Sequence, residues 1–190
     1  MASKVEICNL ALTRIGQRKI QALTEQSAQG VACADLYDLS RRAVLEMAPW
    51  RFAMKTGVMA VRDEDLTDYD YSFTVPADCI RVVLMNPSAA ESSTPIQFEV
   101  FGEALWTNDP TGEIRYVWDI EDTAKFSPAF VSALAYYMAA DLAPIVTGKM
   151  DMQSGMLNAF SVTLRAASGV SASQARQPNR TGLDIKNSRS

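Results

Sequence analysis

The apolar residues of this chain change period twice, and that double change restricts its fold more than any other feature. Near the N-terminal end they recur every three or four residues, so Val5, Cys8, Leu12 and Ile15 share one helical face. Ser3, with Glu6 three residues on, forms a capping box that satisfies the orphan amides at the start of this helix. Gly16 closes it, because glycine takes a left-handed turn without steric cost. The spacing predicts a second helix from about Ser27 to Ala48. Its stripe is Ala32, Leu36, Leu39, Ala43 and Met47, widened by Cys33, Tyr37 and Val44. Pro49 stops it, and Trp50 and Phe52 fold back over the helices.

After Ala53 the period drops to two. Residues 54–61 read as a first strand or an irregular arm, and 63–70 as an acidic loop. Phe73 and Val75 lead to a Pro76-Ala77-Asp78 turn. Ile80, Val82 and Leu84 alternate, as do Ile96, Phe98 and Val100, and then Ile114, Tyr116 and Trp118. Residues 86–95 form a loop, and Asn108 to Gly112 a strong turn. Helical spacing then returns. Ser127 caps a third helix whose stripe is Phe130, Leu134, Tyr137 and Met138, with Pro144 as its stop. A fourth runs from about Lys149 to Ala167 and ends at Gly169.

Helices this short do not bury their stripes alone. The expectation is therefore an α+β chain: an antiparallel helical bundle of about four helices, a small inserted antiparallel β element of four or five strands, and an extended C-terminal arm. Residues 1–53 supply the first two helices, 54–120 the insert, 121–169 the last two helices and 170–190 the arm.

The charge balance narrows the function. Lys and Arg number 18 against 22 Asp and Glu, a net charge of −4, which argues against a general nucleic-acid binder. The arm is the exception. Arg176, Arg180, Lys186 and Arg189 against Asp184 give it +3 and leave the rest at −7. Its composition is that of a chain that does not fold alone. Ordering 21 such residues costs on the order of 20–30 kcal/mol, which surface ion pairs do not offset. Fully extended it reaches ~70 Å, beyond the ~40 Å width of the body, so the composition points to an arm lying on a neighbouring protein. Cys8, Cys33 and Cys79 are odd in number and sit in apolar patterns, which reads as buried free thiols in a reducing compartment. No run of 18 apolar residues and no signal-peptide core is present, so no membrane span or secretion is expected.

Residues that carry chemistry are sparse. The chain has no histidine, which removes the commonest general base and metal ligand. No phosphate-binding loop or calcium-loop spacing occurs. The acidic loop of Asp63, Glu64, Asp65, Asp68 and Asp70 is the one enzymatic candidate, as a glycan hydrolase or divalent-ion site. Its plain reading is a solvated loop. Trp50-Arg51-Phe52 and Arg115-Tyr116-Val117-Trp118 interleave aromatic and basic residues, and read as core aromatics with arginine outward. Neither a catalytic nor a metal nor a cofactor site is assigned.

Four segments together resemble the adaptor proteins of short-tailed bacteriophages, also called head-to-tail connectors or tail tubular protein A. They are Ile7-Cys8-Asn9-Leu10-Ala11-Leu12 with Ile15-Gly16, Leu36-Tyr37-Asp38, Pro49-Trp50-Arg51-Phe52-Ala53, and Tyr71 to Arg81. The likeness covers about the first 85 residues well and the rest in layout. It implies a virion structural protein, assembled in the host cytoplasm, without enzymatic activity. It further implies a ring of copies, a dodecamer, between the capsid portal and the tail tube or nozzle, with DNA passing through the lumen during genome ejection. In that setting the arm contacts the portal, through Val170, Arg176, Arg180, Leu183, Ile185, Lys186 and Arg189. The alternatives are a DNA-binding module using the cationic arm and a glycan hydrolase using the acidic loop.

Overall fold

A computed structural model describes residues 2–63, 68–86 and 96–173. The elements run α1 (Lys4–Arg14), α2 (Ala28–Met47), a 3₁₀ turn (Arg51–Ala53), β1 (Met54–Val58), β2 (Ala60–Arg62), β3 (Tyr71–Thr74), β4 (Cys79–Met85), β5 (Phe98–Phe101), β6 (Ala104–Thr107), β7 (Glu113–Trp118), a 3₁₀ turn (Thr123–Lys125), α3 (Pro128–Thr147) and α4 (Asp151–Ser173).

The helix starts are set by side chains. Ser3 Oγ accepts from the Glu6 amide while the Glu6 carboxylate accepts from the Ser3 amide. Ser27 and Ser127 cap α2 and α3 with their hydroxyls alone, accepting from the Gly30 and Phe130 amides. At the end of α1 the Gly16 amide donates to Thr13 and the Gln17 amide to Leu12, a Schellman arrangement with Gly16 at φ +68°. Asn9 holds the linker that follows. Its amide group donates to the Ile20 carbonyl and accepts from the Ile20 amide, at 2.9 and 2.8 Å. α3 lies at the centre and packs against α1, α2 and α4. Arg14 of α1 donates to the Ser132 carbonyl and hydroxyl and stacks on Tyr136.

The expected small β insert is corrected to something larger. Among the described residues, seven strands form two antiparallel sheets, ordered β1-β7-β4 and β2-β3-β6-β5. The fold is α+β in three layers: helices, the three-stranded sheet, the four-stranded sheet. Alternation along β7 makes the middle layer. Val117 faces the helical core, whereas Ile114 and Tyr116 face the other sheet. On β4, Ile80 and Val83 pack toward the helices and Val82 and Met85 toward the second core. Two register shifts in β4 accommodate this division. The second core closes around Phe73, Leu105, Met85 and Ile114. The strands were under-counted for a physical reason. β1 and β2 are one run of chain broken only at Met59, with no turn residue to mark the change of sheet.

Three further expectations differ. On α2 the expected Ala32, Cys33, Tyr37 and Val44 are buried, but Leu39 and Met47 are exposed, and Arg41 joins the buried face. Pro144 does not stop α3, which continues to Thr147 and ends at Gly148 in the left-handed region. The lost hydrogen bond and ring clash cost ~3 kcal/mol, which the packing of α3 on α4 outweighs. Gly169 does not end α4, which runs on to Ser173, so the predicted arm begins inside a helix. By length and hydropathy α3 could cross a membrane, although no run of 18 wholly apolar residues exists. In the fold it is the central core helix, packed against α1, α2 and α4 through Phe130, Leu134, Met138 and Leu142, with Ile145 left exposed.

Candidate functional site

The most built polar site lies where the helices meet the middle sheet. Arg41 on α2 is only 2% exposed. Its guanidinium pairs with the Asp119 carboxylate and donates to the Ile120 carbonyl at 2.7 Å, while its Nε lies 3.4 Å from Asp38. Arg42 reaches the second oxygen of Asp119 at 3.4 Å. The Asp119 amide in turn donates to the Asp78 carbonyl. The Asp78 carboxylate accepts from Lys55 Nζ at 2.7 Å and from the Tyr116 hydroxyl at 3.2 Å. Lys55 also sits over the Trp118 ring, 3.7 Å from its centre. The bond from Lys55 holds the Asp78 carboxyl below its ordinary range. Burial, with Asp78 beside it, pushes the Tyr116 phenol up to about 12. The chain thus carries a continuous polar seam from α2 to β1.

The seam binds the layers together and contains no nucleophile–base pair. Each carboxylate is already engaged by cations of its own fold, and Asp78 by the Tyr116 hydroxyl as well. Sequence reasoning missed it, yet a signal was present. The run Cys33, Tyr37, Arg41, Val44 keeps helical spacing with one arginine inside, and a buried arginine demands an acidic partner.

The acidic loop is described only in part. Asp63, Asp68 and Asp70 are exposed, and Glu64 and Asp65 lie outside the described residues. The Asp70 amide donates to Asn108 Oδ1. Exposed carboxylates of this kind lack the burial that separates an acid from a base. Among the described residues no three Cys, Asp or Glu side chains are gathered for a metal ion. A shallow cleft nearby is lined by Tyr69, Ile96, Gln97, Asn108, Asp109 and Pro110. The Asp109 carboxylate there is engaged by its own turn, accepting from the Thr111 amide and hydroxyl and from Asn86.

The two aromatic-basic segments are placed inside the fold. Trp50 is buried, donates Nε1 to the Val44 carbonyl at 2.8 Å and meets Phe130 edge-on. Tyr116 and Val117 are buried beside an exposed Arg115. Cys8 and Cys33 are buried and Cys79 half-buried, all free. The Cys8 thiol is raised by its hydrogen bond with Cys33 and by burial, and burial pushes Cys79 up to about 11. Of the predicted portal contacts, Val170 falls in the last turns of α4. Arg176, Arg180, Leu183, Ile185, Lys186 and Arg189 lie outside the described residues.

No protein-family model matches the chain, and no curated protein matches it.

Proposed function

We propose that this chain is a virion structural adaptor: a subunit of a ring between a capsid portal and a tail tube or nozzle, through which DNA passes. The observation that carries the reading is the distribution of exposed apolar side chains. Val58, Val61, Val100 and Phe101 are exposed on the sheets, and Ile145, Met150 and Val162 on the last two helices and the turn between them. Apolar surface on both the sheets and the helices suits a subunit with neighbours on more than one side. The residues of the family resemblance support the same reading, because they build the frame. Asn9 clamps a linker, Gly16 ends α1, Trp50 anchors the chain onto α3, and Tyr71 to Arg81 forms β3 and the start of β4.

α4 runs to Ser173, so a truncation after it removes the cationic segment and keeps every helix of the described residues. The truncated protein should retain full helical content and fail to bind a portal in co-sedimentation. Electron microscopy of the full chain mixed with portal should give rings. Rings formed by the truncated chain at undiminished affinity would refute the role of the segment, and the absence of rings from the full chain would refute the adaptor.

A further inference from the structure

We infer that copies of this chain join head to tail through the four-stranded sheet, the β5 edge of one copy pairing with the β2 edge of the next. Each residue row of that sheet runs from one edge to the other. Val61 pairs with Phe73, Phe73 with Leu105, and Leu105 with Val100. One row over, Arg62 pairs with Ser72, Ser72 with Trp106, and Trp106 with Glu99. Three antiparallel steps leave β2 and β5 running in opposite directions, the polarity an added antiparallel strand requires. If the rows continue across the junction, Val61 of the second copy opposes Val100, and Arg62 of the second copy opposes Glu99 on a shared face. One row thus joins two exposed valines, 72% and 46% accessible, and the next joins opposite charges.

The contrast with the other sheet supports the assignment. Its edges carry the usual protection against pairing: β4 has two register shifts, and β1 has Lys55 and Gly57. β2 and β5 carry no lysine, proline or register shift, and β5 ends on the exposed Phe101. A contact between different surfaces propagates rather than ending at a dimer. Each strand step adds about 20–25° of twist, so the free chain gives short open runs, and closure needs a symmetric platform. The inference supplies the copy-to-copy contact of the adaptor reading and rests on it only for the closed ring.

The test uses two full-length single variants, Val61→Cys and Val100→Cys, both at exposed positions, with a short bis-maleimide at high protein concentration. The parent chain, which contains Cys79, is the background control. A mixture of the two should cross-link to dimers, and neither variant alone should exceed the parent. Arg62→Glu in the Val61→Cys chain should lower the yield at least about tenfold, and a Glu99→Lys change in the Val100→Cys chain should restore it. No mixed product, or an equal yield from Val100→Cys alone, overturns the contact. Rings on a portal without this cross-link would overturn the contact and leave the adaptor standing. Cross-linked runs that no portal captures would do the reverse.

Discussion

Arg41 and Asp119 are 78 residues apart in the chain and form the buried one of the two ion pairs that join α2 to the segment leaving β7, the other running from the exposed Arg42. Asp38 also meets Arg41 but is largely solvated, at 61% side-chain exposure against 24% for Asp119. The two acids should therefore differ in worth. Asp119→Ala strands a buried guanidinium and should cost about 3 kcal/mol. Asp38→Ala should cost under about 1 kcal/mol. Urea midpoints of the two variants decide the matter, and equal losses would show that the seam is not what ties the layers.

Gly112 lies against the ring of Phe73 and has φ +61°. A Cβ there would stand 2.6 Å from Phe73 Cε1, in a backbone region that L-residues avoid. Gly112→Ala should destabilise by about 2–4 kcal/mol, of which ~1–2 is backbone strain. Phe73→Leu made on top of it should recover part of the clash and none of the strain. A double-mutant cycle on thermal melts reads the coupling, and simple additivity would place the clash elsewhere.

These two relationships also mark where the sequence was readable and where it was not. Caps and stops are local chemistry, so Ser3, Gly16, Ser27 and Ser127 announced helix ends that the fold retains. The α2 stripe was legible at Ala32, Cys33, Tyr37 and Val44, whereas apolar counting added Leu39 and Met47 and passed over Arg41, whose partner Asp119 comes close only in the folded chain. The three-residue β2 is too short to have a period, and Met59 carries no turn signal. Pro144 was read by its intrinsic preference, which tertiary packing overrode. Beyond Arg41 the polar seam left no mark in the sequence, because Lys55, Asp78 and Tyr116 meet only across β1, β7 and the start of β4. Gly169 failed as a stop because a glycine within a helix costs only about 1 kcal/mol.

Asp141, on the central helix, has its carboxyl raised above 3.8 by burial. Between 3.8 and the raised value the folded state binds more protons than the unfolded chain. Stability therefore falls as pH rises through that window, and the penalty persists at neutral pH. Asp141→Asn should melt higher than the parent at pH 7, and the difference should vanish near pH 3, where both states of the parent are protonated. A variant that melts lower at pH 7 would mean that the carboxylate is stabilising.

Asn9 makes its two bonds to Ile20 at part-buried positions, and Ile20 itself is buried. Asn9→Ala leaves one amide and one carbonyl of the α1–α2 linker unpaired and should cost about 2–3 kcal/mol. Asn9→Asp keeps the acceptor and loses the donor, so its cost should be smaller at neutral pH. The sharper readout is hydrogen exchange at the Ile20 amide. Protection there should drop far more in the alanine variant than in the aspartate variant, because only the carboxylate still receives that amide. If both variants lose it equally, the linker is held by the burial of Ile20 and the side chain of Asn9 is incidental to it.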